Sequence, residues 1–312
     1  MARATERLAG PPRLGFKRRR AARFLRDDLR RGSPALNYRH AFHAGNFADV
    51  FKHAVLLRWL GALTADPEPL ELLDTHAGAG IYDLSDASAG RTGEAAEGIG
   101  RFLPPADPEP AVAPLTDAVR ALNRGGAGPL YPGSPLLACG ALRPGDRYVG
   151  CELRAEDADA LERALRARVT AVRTRVVRAD GWLAARQAAP GRRRALLIDP
   201  PFEDGNDAAQ VAEALSSALA RGEPAAVWAP LKDLDGFDRL LGRIEALRPL
   251  PSTAVQLRLR PPKAPLRLNG CAMILVGGPD LGAEAEAVAR AVAARCGEAG
   301  GGASLERFGA QP

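Results

Sequence analysis

The chain has 312 residues, 46% of them hydrophobic and 26% charged, with a formal net charge of +6; that suits one large α/β domain or two small ones. No run of about 18 apolar residues occurs, which excludes a membrane-spanning helix. The positive balance invites a nucleic-acid partner, but net charge speaks to association and not to fold.

Residues 1–35 read as a basic, solvated extension. Residues 1–34 hold eleven Lys and Arg against three acids, a net of +8. Residues 35–312 then hold 32 against 34, a net of −2, so the basic character belongs to the first segment. No apolar stretch of signal-peptide type follows these charges, which argues against secretion; an organellar transit peptide stays open.

Order is expected from residue 36. Asn46 reads as a helix N-cap with Asp49 in the first turn. Phe47, Val50, Phe51, Ala54, Val55, Trp59, Leu60 and Leu63 follow with helical spacing. Pro67 and Pro69 end that helix. Leu70–Asp74 is a short apolar run that ends in a carboxylate and enters a turn with Gly78 and Gly80, the pattern of a buried strand. Further strands are expected at Arg147–Cys151, Thr174–Val177, Ala195–Asp199, Ala225–Ala229, Val255–Leu259 and Ala272–Val276, with helices over 155–168 and 207–221. This alternation predicts an α/β domain over 36–296, with a mainly parallel seven-stranded sheet covered on both faces. Residues 84–131, rich in Gly and Pro with one helix near 111–123, read as an insertion. Residues 297–312 read as a Gly-rich, disordered tail.

The four cysteines, Cys139, Cys151, Cys271 and Cys296, show no C-x-x-C spacing. That argues against a zinc site or a disulfide framework and fits a reducing cytoplasm. The histidines, His40, His43, His53 and His76, all fall in one short stretch. A polar helix face plus one loop histidine would account for them.

Several strand ends carry candidate chemistry. In Asp74-Thr75-His76-Ala77-Gly78-Ala79-Gly80 the glycines let a ligand approach the backbone at the carboxyl end of a strand. The stretch is not G-x-G-x-x-G, because Asp83 stands where the third glycine would be. A carboxylate before the turn repels a pyrophosphate and suits a sulfonium or ammonium. Many such turns are only tight turns. Glu152 closes the second strand, where an acid can take two ribose hydroxyls, though it also reads as a helix-start acid. Asp180-Gly181 follows the third strand. Asp199-Pro200-Pro201-Phe202 follows the fourth. Its prolines remove two donors and leave carbonyls to accept, so the site suits a ligand amine with two N–H bonds. Phe202 adds a face for a flat base.

Together these residues resemble class I S-adenosylmethionine-dependent methyltransferases with a D/N-P-P-aromatic motif. A narrower resemblance rests on Asn37-Tyr38-Arg39-His40-Ala41-Phe42-His43-Ala44-Gly45-Asn46, Lys52-His53, the glycine turn, Arg91-Thr92-Gly93-Glu94, Tyr131-Pro132-Gly133-Ser134-Pro135 and Asp199-Pro200-Pro201. Over about residues 36–276 the chain looks like the bacterial 23S ribosomal RNA adenine-N6 methyltransferase family. The resemblance implies a Rossmann-like fold with a small helical insertion. It implies S-adenosyl-L-methionine held by His53, His76, Gly78, Ser134, Glu152, Asp180, Gly181 and Asp199. It implies catalysis by Asp199, with Tyr38 on the RNA; the residues themselves add Pro200, as an acceptor carbonyl, and Phe202, as a stacking face, to the expected catalytic set. The implied partner is 23S ribosomal RNA. A cytoplasmic protein with no metal and no membrane partner is expected from the composition, and a monomer is expected although no residue pattern reads the oligomeric state.

Two departures stand out. Phe202 replaces the usual tyrosine, and residues 1–34 precede the family's usual start, as a misplaced start site or an RNA-tethering arm. Without the arm, Arg39, Lys52 and Arg58 are the local cations expected on RNA. An RNA-binding module without catalysis, a nicotinamide-dependent oxidoreductase, and the same methylation on DNA adenine or a glutamine side chain are the alternatives.

Overall fold

Helix α1 (Phe47–Leu63) begins at its expected cap: Asn46 Oδ1 accepts from the Asp49 amide at 3.0 Å. The helix belongs to a computed structural model that describes residues 43–309 apart from 86–92, 105–106, 127, 190, 204, 233 and 262–267. The basic extension, Tyr38, Arg39, His40, Arg91 and Thr92 lie outside the described residues. Helix α1 is apolar on most sides, with Val50, Phe51, Leu56, Trp59 and Leu60 all buried. A helix of that kind must be covered all round, and α1 packs against elements from both the sheet layer and the insertion.

Strand β1 (Leu70–Asp74) follows, then a short hairpin of β2 (Ile81–Asp83) and β3 (Leu130–Pro132). Between the hairpin strands lie α2 (Glu94–Glu97), a turn at Ile99–Phe102 and α3 (Ala113–Leu122). Ile99, Phe102, Val112, Leu115 and Val119 from this stretch join the core cluster that contains α1. Next come α4 (Ser134–Ala141), β4 (Arg147–Cys151), α5 (Ala155–Arg168), β5 (Arg173–Val177), α6 (Gly181–Arg186), β6 (Arg193–Ile198), α7 (Asp207–Leu219) and β7 (Ala225–Leu231). Helix α8 (Leu234–Ala246), β8 (Ser252–Arg258), β9 (Gly270–Val276), α9 (Gly282–Cys296) and β10 (Gly302–Phe308) complete the described chain.

The main sheet has eight strands in the order β10-β8-β9-β7-β6-β1-β4-β5. Strands β1, β4, β5, β6 and β7 are mutually parallel, while β9, β8 and β10 join antiparallel. Every expected strand is present. The eighth, β10, corrects the expectation of a disordered tail, because residues 302–308 pair with β8 along its whole length. The glycines before it turn the chain back; Gly300 has φ +85°. The paired residues Ala303–Phe308 then supply ordinary strand backbone.

Register fixes where the acids fall. Asp74 lies opposite Gly150 on β4 and Leu197 on β6. Asp74, Glu152 and Asp199 therefore reach the same sheet edge, the carboxyl end of the parallel strands. Both sheet faces are covered: one core cluster contains α1, α5 and α9 residues, the other residues of α7 and α8. The four cysteines are free thiols. Among the described residues no helix is long and apolar enough to cross a membrane.

Candidate active site

Asp74 ends β1 and is fully buried. Its Oδ2 accepts from Ser134 Oγ at 2.8 Å and Tyr148 Oη at 3.0 Å. Burial pushes its carboxyl up to about 6, and the two hydroxyl donors oppose that rise. Thr75 is pinned beside it: its amide and its Oγ1 both donate to Leu197 O at 3.0 Å. His76 packs edge-on to Trp182, with ring centroids 4.8 Å apart. Burial pushes His76 down to about 4, so its imidazole is neutral at pH 7.

The glycine turn closes onto β4. Gly78 N donates to Glu152 Oε2 at 3.0 Å, and Arg154 N donates to Glu152 Oε1 at 2.8 Å. Burial raises the Glu152 carboxyl against these amide bonds. Gly78 has φ +63°, and a Cβ there would overlap Tyr82 Oη. Asp180 caps α6 by accepting from Trp182 N at 2.8 Å. Gly181 packs so closely on Thr75 that a Cβ would overlap the Thr75 carbonyl.

The second half of the site is built on β6 and α1. Lys52 Nζ lies 2.6 Å from Asp199 Oδ2 and 2.9 Å from Asp49 Oδ1. Burial works against this ammonium, but the two carboxylates outweigh it and hold the lysine well above its usual range. Asp49 is fixed in turn by the Gly45 amide, 2.9 Å from its Oδ2. Among the described residues no donor reaches Asp199 Oδ1 or the Pro200 carbonyl. Phe202 follows at φ +49°, a left-handed backbone that costs a bulky residue about 1–3 kcal/mol. Lys232 Nζ donates to the Phe202 carbonyl at 3.1 Å. The Phe202 ring meets Trp228 edge-on, centroids 6.0 Å apart, and Lys52 Nζ lies 5.9 Å from the Trp228 ring centre.

The structure brings most of the expected residues into two linked groups. His76, Gly78, Ser134, Glu152, Asp180 and Gly181 surround the glycine turn, while Asp199, Pro200, Phe202 and Lys52 form the other group. His53 lies deeper, 1% exposed, with Nδ1 2.8 Å from Tyr131 Oη. Lys52 was expected on RNA; at 4% exposure, between two carboxylates, it is closed to a phosphate. Arg58 donates to Ala54 O and Pro110 O. Asp49, Tyr148 and Trp228 were missed. Only Asp49 carried a signal, its i,i+3 spacing from Lys52 on a helix.

A parallel sheet flanked on both faces, continued by three strands in antiparallel pairing and tipped with carboxylates at one edge, is the Rossmann-like class I methyltransferase fold. Comparison with known proteins narrows the class. The family model described as "Ribosomal RNA large subunit methyltransferase D, RlmJ" matches residues 67–308. The chain is 34% identical over 248 residues to the Ribosomal RNA large subunit methyltransferase J of Escherichia coli K12, covering 78% of this chain and 88% of the relative. It is 33% identical over 250 residues to the protein of the same name from Haemophilus influenzae, with the same coverage. A crystal structure of a Legionella pneumophila protein superposes with a TM-score of 0.77 at 27% identity, covering 85% of this chain and 98% of that one. The chain belongs to the ribosomal RNA large subunit methyltransferase J family.

Proposed function

We propose that this protein transfers a methyl group from S-adenosyl-L-methionine to the N6 amine of an adenine in 23S ribosomal RNA. The observation that carries the reading is the pair of open acceptors, Asp199 Oδ1 and the Pro200 carbonyl, at the end of β6. An exocyclic amine offers two N–H donors to two such acceptors.

The residues at the glycine turn fit the cofactor. The edge carries Asp74, Glu152, Asp180 and Asp199 against one buried lysine, and His76 is neutral. That field repels a pyrophosphate and favours a cation. Glu152, at the end of β4, keeps lone pairs for ribose hydroxyls beyond its bonds to amides. When bound, S-adenosyl-L-methionine supplies a methyl group activated by a positive sulfur.

The chain's own residues do the rest. Adenine leaves any stack, at a few kcal/mol, and rests against Phe202, which returns about 1–3 kcal/mol. Asp199 and the Pro200 carbonyl draw the N6 hydrogens and favour a pyramidal nitrogen whose lone pair can attack. The two prolines hold this geometry rigid, and Lys52 fixes the carboxylate. The N–C bond would form as the C–S bond breaks and leaves a neutral thioether; the methylated N6 then gives up one of its two protons to water. Positioning and electrostatics supply the rate effect, and no base is required before transfer.

The test is direct. Adenine methylation in 23S rRNA is mapped in cells with and without the gene. One N6-methyladenine lost on deletion, and restored by the wild type but not by Asp199→Ala, is the expected result. An unchanged map overturns the reading. Methyl transfer to DNA but not to RNA would assign the alternative substrate.

A further inference from the structure

Residues 161–178 carry six arginines, Arg163, Arg166, Arg168, Arg173, Arg175 and Arg178, and one acid, Glu162. That is a net of +5 in 18 residues, on a 35–312 body whose remainder carries −7. All six are exposed. They occupy the last two turns of α5, the edge strand β5 and the residue after it. Arg178 pairs with Asp159. The other five form no ion pair among the described residues. Elsewhere exposed arginines occur both paired, as Arg290 with Glu286 and Arg307 with Asp280, and without an ion pair among the described residues, as Arg239 and Arg243; what sets 161–178 apart is six of them on one edge against a single acid.

Two ordinary roles would account for part of the pattern. Cations at a helix C-terminus complement its dipole, which covers Arg166 and Arg168. Charge on an edge strand blocks pairing with another chain, which covers one arginine of β5. The opposite edge, β10, shows what that second role requires: its only charges are Glu306 and Arg307, of opposite sign. Arg173 and Arg175 are alternate residues and so share one face of β5, about 7 Å apart along the strand. The patch also ends beside the site. Val177 O accepts from Glu152 N at 3.1 Å, and Asp180 caps α6 three residues later.

We propose that the α5–β5 edge is a docking surface for the RNA phosphate backbone, outside the base pocket. This rests on the RNA reading of the site. The surface is polar, carries six arginines against one acid and leaves five of them without an ion pair among the described residues, which suits a polyanion and not an apolar protein face. It also takes over the role expected for Lys52 and Arg58, which the structure spends internally.

The test compares Arg173→Gln/Arg175→Gln with a charge-matched control, Arg239→Gln/Arg243→Gln, which lies on α8. Both are made in the full chain and assayed with an unmodified transcript of 23S rRNA. The β5 variant is expected to raise KM for RNA about tenfold at low salt. It is expected to flatten the slope of log affinity against log salt by about 1.4, the contribution of two single-strand phosphate contacts. Its kcat at saturating RNA, its cofactor affinity and its Tm stay at wild-type values. The control leaves KM and slope unchanged. Equal KM and slope for the β5 variant and wild type overturn the docking surface, as does an equal loss in the control. If wild type itself methylates no RNA, the function fails, and transcript binding alone then decides the surface by the same slope.

Discussion

Lys52 Nζ lies 2.6 Å from Asp199 Oδ2 across 147 residues of sequence, and the ammonium is shared with Asp49. The pair leaves Asp199 one oxygen fixed and one oxygen open. Removing Asp199 should lower kcat by at least about 10²–10³-fold, the scale of one lost transition-state contact. Cofactor affinity should weaken far less. Lys52→Met leaves the buried Asp49 and the partly buried Asp199 uncompensated and should cost about 3–5 kcal/mol of stability. Adding Asp49→Asn should recover part of that stability without recovering turnover. Denaturant unfolding and single-turnover assays on the three variants check this. Recovery of turnover in the double variant would show that Lys52 is structural only.

Phe202 combines a stacking face with a left-handed backbone. Phe202→Tyr should be tolerated, because the ring and its edge contact with Trp228 at 6.0 Å survive. Phe202→Ala removes the face and keeps the backbone strain. Its kcat/KM should fall roughly 5- to 150-fold, the equivalent of about 1–3 kcal/mol of stacking. Phe202→Gly should be as inactive as the alanine variant but more stable, since glycine accepts φ +49° without cost. Equal activity of Phe202→Ala and wild type would remove the stacking role.

The parts of the site that were legible in the sequence are those made locally. Short apolar runs ending in Asp74, in Glu152 and in Asp199 marked strand ends, and parallel register brings such ends to one edge. The Asn46 cap was legible because its partner is three residues away. What was not legible depends on chain segments meeting at long range. Nothing near Lys52 announces Asp199, and nothing near Tyr148 announces that its hydroxyl reaches Asp74. Trp228 looked like one more apolar residue of a buried strand. Strand β10 was hidden because the glycines before it resemble a flexible tail, while its pairing is set by the free edge of β8.

Gly181 should be intolerant of any side chain. The atom a Cβ would strike is the Thr75 carbonyl oxygen, and Thr75 cannot retreat because two of its own donors hold Leu197 O. Gly181→Ala must displace α6 and with it the Asp180 cap. A loss of about 1–3 kcal/mol in stability is expected, together with a marked loss of cofactor affinity. Gly61 is the control: it lies within α1 with nothing inside 4 Å of a Cβ. Gly61→Ala should stabilise by up to about 1 kcal/mol. Thermal unfolding with and without S-adenosyl-L-methionine reads both. Ligand-induced stabilisation of Gly181→Ala equal to that of wild type would refute the crowding argument.

Asp74 predicts a pH dependence with a definite sign. Burial raises its carboxyl from 3.8 to about 6 in the folded protein, so between these values the folded state holds a proton that the unfolded state has released. Folding is then favoured at low pH by this group, and its contribution is lost as pH rises through about 6. The difference corresponds to on the order of 3 kcal/mol. In Asp74→Asn the amide oxygen can still accept from Ser134 and Tyr148, while the titration is gone. Urea unfolding across pH 4.5–7.5 should show wild-type stability falling relative to the asparagine variant, with unchanged slopes against denaturant. Parallel stability profiles for the two proteins would show that the buried carboxyl does not titrate in this range.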